Sequence, residues 1–429
     1  MKKKLIILLC VLLGLSWYTA ISETINNPKK MAAHLEAAAS YEAQGIYVDA
    51  VTEYEQALTY RPDDVEISLK MANAYLQMGN SSKFESICQN YAEGNQKDTT
   101  AMDCLMNYYS ENEYSVDAVK YLNDFLADYP ENENAQKWML KFKGSFTYLY
   151  GEYSEKPKIA NDNMIFEKNE KYGVSDRKGK KILEPIYEEM YPFSKDGYAL
   201  VKTEGVYSYI DIDGQRRLLA EKDYTDLGML QNKRTVAALN GKFAYLDENL
   251  KPVTEFAWDA LTLIEEGMGA GQKNGKWAII NKKGEAQTEY IYEDVSVDEY
   301  GFCSIKQRIF VKEQGSYKML NKKLENVGDL KFDAARPFGD GSYAAVCMNG
   351  KWGFVNEDGE LVIECVYDDA QSFSNGFAAV CVGGKWGYID ESGYMAIEPQ
   401  FIDAMGVSKE GVAAVLNETW QLIQLSVFL

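Results

Sequence analysis

One histidine, His34, stands among 429 residues. That scarcity removes Ser-His-Asp and Cys-His nucleophile pairs and histidine-based metal centres, because each needs an imidazole as base or ligand. His34 falls at an aromatic position of a helical pattern, where packing explains it. No CxxC spacing occurs among the seven cysteines, at 10, 88, 104, 303, 347, 365 and 381. Outside the cytoplasm the last six could join as disulfides; the other reading is small buried hydrophobes. Only Cys347 and Cys381 share a repeat position, each following Ala-Ala-Val. No GxxxxGK[ST] phosphate loop is present, and no helix follows the glycine-rich "GGKWG" to supply a positive dipole. Asp211–Gly214 has the start of a calcium loop, but Lys222 stands where the bidentate Glu is required. Positive charge is also short: 45 Lys and Arg against 65 Asp and Glu leave a net charge of −20. That argues against sequence-independent nucleic-acid binding and disfavours adsorption of the folded part to an anionic membrane.

What is present is globular. Apolar residues make up 46% and charged residues 26%, and the length allows two or three cores. The chain begins "MKKKLIILLCVLLGLSWYTAISE". Three lysines precede an uncharged run from Leu5 to Ser22, which as a helix just spans a bilayer core of about 30 Å. Ala20-Ile21-Ser22 also fits a signal-peptidase site. Residues 1–22 are therefore expected to be a membrane anchor, or else a cleaved signal. In either case Lys2–Lys4 stay inside and the bulk of the chain lies outside the cytoplasm. A linker, 23–30, follows.

From Met31 to Pro130 apolar residues recur at helical spacing. The first 34 residues place Ala38, Tyr41, Gly45, Tyr47, Ala50, Tyr54, Ala57 and Pro62 in a fixed pattern. Residues 65–98 keep Ala72, Tyr75 and Gly79, and 99–132 keep Tyr109, Ala118, Phe125 and Pro130. This pattern resembles the tetratricopeptide repeat, in which small residues let two antiparallel helices approach. A capping helix from about 134 to 150 and a linker are expected within 133–157.

From residue 158 to 429 the period changes to short aromatic and β-branched runs between Gly, Asn and Asp turns. An aromatic column can be followed through Tyr172, Tyr207, Phe243, Trp277, Tyr317, Trp352, Trp386 and Trp420, in steps of 34 to 40 residues. Each strand carrying it runs into an Asp/Asn-x-x-Gly turn, as at Asp211/Gly214, Asn356/Gly359 and Asp390/Gly393. Leu250 and Leu324 replace the glycine in two units, where altered turns are expected. An aromatic with acids follows ("YEEM", "YEDV", "YDDA"), then a glycine and a small-residue strand ("NGFAAV", "EGVAAV"). These units, above all Trp352-Gly353 and Trp386-Gly387, resemble the bacterial WG-repeat family, which is defined by its repeat and not by an activity.

The fold class is thus multidomain: an α-helical solenoid followed by an all-β hairpin array of about seven units plus terminal halves. "NMIFEK" from Asn163 and "ETWQLIQL" from Glu418 are complementary half-units. Joined they close a propeller-like ring; unjoined they end an open β-solenoid. The column aromatics are expected to anchor units to one another. Tyr41, Tyr75 and Tyr109 share one repeat position and could line a peptide groove, although core packing is the larger part of their explanation. Glu188, Glu189, Glu293, Asp294, Asp368 and Asp369 have the side chains a glycosidase needs. They recur in register, however, which favours solvated strand ends. No catalytic centre, cofactor or metal is expected. The function expected is a scaffold for protein–protein contacts at the cell envelope, binding a protein or peptide through the helical repeats. The alternative is recognition of cell-wall or extracellular polysaccharide.

Overall fold

A computed structural model describes residues 27–149, 151–160, 163–176, 180–220 and 224–429. The expected leader at 1–22 lies outside them. Among the described residues no helix is long and apolar enough to cross a membrane. The chain separates into two compact units, 1–142 and 143–429.

Seven helices are described in the first unit and at its end: α1 (27–43), α2 (Tyr47–Leu58), α3 (Val65–Gln77), α4 (Ser81–Gly94), α5 (Thr100–Glu111), α6 (Ser115–Asp128) and α7 (Glu133–Lys143). Ala38, Ala50, Ala57 and Ala72 are wholly buried, which is what lets paired helices approach closely. Polar residues set the helix starts. Asp64 accepts from the Ile67 N–H at 3.1 Å and Asn80 from the Lys83 N–H at 3.2 Å. Gly45, at φ +74°, ends α1 by adopting a conformation that a side chain would resist.

The second unit is an eight-bladed β-propeller. Seven consecutive sheets run through the chain, with blades at 158–187, 189–219, 226–258, 260–292, 294–332, 334–367 and 369–401. The eighth takes three strands from the C-terminus, Asp403–Ala404, Val412–Leu416 and Trp420–Leu425. Its fourth strand is Phe146–Tyr148, antiparallel to Trp420–Leu425 with Phe146 opposite Leu425. The ring is therefore closed, and the open solenoid is set aside.

Closure corrects two expectations. The capping helix stops at Lys143 instead of continuing to 150, because the next residues serve the ring. Gly144 makes that passage possible: a Cβ there would lie 1.7 Å from the Ala396 carbonyl oxygen. "NMIFEK" and "ETWQLIQL" do not pair with each other. Asn163–Lys168 pairs with Lys158–Ala160 and Lys171–Asp176 in the first blade, and Phe146–Tyr148 completes the last. The ring-forming unit accordingly begins at 143 and not at 158.

Blades of about 34 residues suffice because in the second to eighth blades the first strand is two residues long, as at Glu189–Met190 and Asp369–Ala370. The second strands are buried almost throughout, with Phe377–Cys381 as the clearest case. The fourth strands alternate exposed and buried residues, as an outer edge should. Leu250 and Leu324 do not alter their turns. Both take up positive φ, +58° and +65°, and keep the glycine pattern of hydrogen bonds to Asp247 and Asn321. Each packs its side chain against a neighbouring core, which offsets the backbone strain.

Candidate interaction surfaces

The aromatic column lies within the blades, on the third strand of each. Six members stand opposite an aromatic on the fourth strand: Tyr172–Tyr187, Phe243–Trp258, Trp277–Tyr292, Tyr317–Phe332, Trp352–Tyr367 and Trp386–Phe401. Trp420 stands opposite Tyr153. Tyr207 is the exception, with the Ala220 N–H bonded to its carbonyl. Tyr207, Tyr317, Trp386 and Trp420 are buried; Tyr172, Phe243, Trp277 and Trp352 are half-buried. The Trp352 ring is covered by the Arg336 guanidinium, 4.5 Å from its centroid.

The glycine of the Trp-Gly pair has a purpose that the sequence did not reveal. The fourth strand bulges as it crosses it, and a Cβ on Gly173, Gly353 or Gly387 would come within 2.7, 2.6 or 2.3 Å of a carbonyl oxygen of that strand. Ala244 and Ala278 occupy this place in the third and fourth blades. There the fourth strand is reduced to two isolated bridges in each blade. Ser208 and Lys318 hold the same place in the second and fifth blades, where the fourth strand is kept.

The first acid after the aromatic ties blade to blade. The Glu188 carboxylate accepts from the N–H groups of Glu204 and Gly205 in the next blade's hairpin, at 3.0 and 2.9 Å, and pairs with Lys171 of its own blade. Asp368 repeats this with the Gly383 N–H at 2.7 Å and Lys351 at 2.5 Å. Asp259 does so with the Asn274 N–H at 2.7 Å and with Lys242, and Glu293 with the Gly315 N–H at 3.1 Å. The lysine before the aromatic in "GKWG" is therefore one end of a lysine–acid–hairpin link. Of the following acids, Glu189 accepts from the Tyr207 hydroxyl at 3.0 Å, Asp294 from the Tyr317 hydroxyl, and Asp369 pairs with Arg336 at 3.1 Å. All six acids with glycosidase-like side chains are thus engaged, Glu189 and Asp294 within their own blades and the other four between blades.

Asp211 stabilises its own turn through the Asp213 and Gln215 N–H groups and pairs with Arg217. Glu265 lies outside the repeat register and was missed in the sequence. It gathers Lys195, Gln231 and Asn232, joining three blades at 2.9, 2.7 and 2.6 Å.

In the helical unit the three tyrosines are not equivalent. Tyr41 and Tyr75 are half-buried beside the first core. Tyr109 is 2% exposed and donates to Glu85 at 3.1 Å, so its ring cannot line a groove. His34 meets Glu53 at 2.6 Å and stacks near Tyr60. Burial, with Glu42 alongside, raises the Tyr54 phenol to about 12. An open hollow of about 400 Å³ lies between α3 and the start of α5, lined by Glu66, Leu69, Lys70, Asn73, Asp98 and Thr100. The Thr100 hydroxyl and N–H hold Asp98 below the usual carboxylate range, and Lys70 is taken by Glu66 at 2.8 Å. The hollow is anionic.

The family described as "WG containing repeat" matches residues 172–207, 319–352, 352–386 and 386–418. These segments of the chain carry WG-type repeats. A "TPR repeat" family matches residues 38–79, at the junction of the first two helical pairs. No curated protein matches the chain. Among solved structures, Hsv2p of Kluyveromyces lactis is 11% identical, covering 63% of this chain and 96% of its own, with a TM-score of 0.37. A eukaryotic initiation factor is 10% identical, covering 65% of this chain and 86% of its own, at 0.44. PorZ, a bacterial surface component of the type-IX secretion system of Porphyromonas gingivalis, is 12% identical over 63% of this chain and 42% of its own, at 0.36. At these scores the likenesses carry no functional information.

Proposed function

We propose that this protein is a non-catalytic scaffold at the cell envelope. Its helical repeats bind an extended basic peptide or protein segment, and its propeller is a rigid platform. The observation that carries the reading is the division of labour among charged groups. In the ring, the acids with catalytic-type side chains are engaged by neighbouring groups, four of them between blades and Glu189 and Asp294 within their own blade, whereas the hollow on α3 and α5 presents Asp98 and Asn73 to solvent. The module around it has nineteen acidic and nine basic residues from 27 to 142, so a ligand of positive charge is favoured. Solenoids of helical pairs offer surfaces of this kind to peptides. The envelope location is supported by the basic and apolar leader sequence.

The test uses the full chain and a panel of labelled extended peptides graded in charge. Binding should rise with peptide positive charge and weaken with salt. Asn73→Arg, which places a cation on the exposed face of α3, should abolish binding without moving the thermal midpoint. Equal binding by the variant, or no binding by any peptide, would sink the reading.

A further inference from the structure

Two thiols face one another inside the helical module. Residues 95–99 connect α4 to α5, and the two helices pack as a hairpin. Near the open end of that hairpin Phe84 packs on Tyr108, with ring centroids 4.8 Å apart, and the Tyr109 hydroxyl reaches Glu85. Cys88 and Cys104 each stand four residues closer to the connection than Phe84 and Tyr108. One turn along both helices keeps a residue on the same face, so the two cysteines meet across the same seam. Cys88 is wholly buried and Cys104 half-buried, and both are free thiols.

We propose that Cys88 and Cys104 form a redox pair that closes to an intramolecular disulfide by exchange with an external disulfide such as oxidised glutathione. The bond joins the second helix of one repeat to the first helix of the next.

The two positions differ in a way that sets the order of events. The neighbouring Cys88 thiol holds Cys104 below the ordinary thiol range; the neighbouring Cys104, with burial, pushes Cys88 up. Cys104 is also the one that solvent reaches. Its thiolate attacks one sulfur of the external disulfide and expels the other as a thiolate, leaving a mixed disulfide on Cys104. Cys88 then gives up its proton and attacks the Cys104 sulfur, expelling the second external thiol. The pair loses two electrons and two protons; the external disulfide gains them and leaves as two thiols. The four described cysteines of the ring serve as internal controls.

The experiment treats the intact chain with oxidised glutathione, blocks remaining thiols under denaturing conditions and maps the digest by mass spectrometry. A Cys88–Cys104 linked peptide should appear, with two thiols lost from the helical module and both restored by dithiothreitol. Cys88→Ser should accumulate a stable glutathione adduct at Cys104. Cys104→Ser should leave Cys88 unmodified over the same time, with an unchanged circular dichroism spectrum. The proposal fails if both wild-type thiols stay free, or if Cys104 retains glutathione while Cys88 remains reduced. Equal modification of Cys88 in Cys104→Ser would also overturn it.

Discussion

Gly387 and Ile397 are fitted together so closely that a Cβ on the glycine would lie 2.3 Å from the isoleucine carbonyl oxygen. The obstacle is backbone in a bulged strand, so it cannot swing aside. Gly387→Ala should cost about 1–3 kcal/mol by overpacking and loosen the strand Met395–Phe401. Denaturant unfolding with amide exchange reads both. A variant as stable as the parent would show that the fourth strand yields, as it has in the blades carrying Ala244 and Ala278.

Trp386 and Trp352 occupy the same repeat position with different surroundings. Trp386 is 9% exposed within the core shared by the last two blades, and its replacement by Ala should cost about 3–5 kcal/mol. Trp352 is half-buried under Arg336 and should cost less. A double-mutant cycle between Arg336 and Trp352 should return about 0.5–1 kcal/mol of coupling.

Acid should weaken the ring through its links between blades. Lys351 holds the Asp368 carboxyl below the usual carboxylate range, Lys242 does the same for Asp259, and the Gly205 N–H for Glu188. A depressed folded pKa stabilises the fold above the unfolded value, and the contribution drains away as pH falls through the folded value. The thermal midpoint should stay level from neutral pH to about pH 5 and drop below about pH 4. A midpoint that rises on acidification would mean that relief of the −20 net charge outweighs the links.

Asp298 works in the opposite sense. Burial raises its carboxyl although it accepts the Tyr300 and Phe302 N–H groups at 3.0 and 2.8 Å. Its ionised form therefore opposes folding once the pH exceeds the unfolded value, and fully so above the folded one. Asp298→Asn keeps an acceptor for both N–H groups and should raise the thermal midpoint at pH 7. The gain should vanish in acid, where the native carboxyl is already neutral.

The sequence showed the periods well and the partners poorly. Eight aromatics in register and the Asp/Asn-x-x-Gly turns are local signals, and they marked the third strands and their hairpins. Ring closure was not legible because Phe146–Tyr148 is three residues long and abuts a helix, so its partner near residue 423 leaves no local trace. The lysine–acid–hairpin links were also hidden. "YDDA" reads as solvated acids until folding brings the Gly383 N–H to Asp368. Tyr109 shows the converse limit. Repeat position made it equivalent to Tyr41, but burial did not.

The closing strand also has a mechanical meaning. Because Phe146–Tyr148 follows directly on α7, any tension carried along the chain from the helical repeats arrives first at the rim of the eighth blade. The pairs Phe146 with Leu425, Thr147 with Gln424 and Tyr148 with Ile423 bear that load first, with Tyr153 opposite Trp420 behind them. Under a pull between the termini the ring should give way at this latch before any other blade opens.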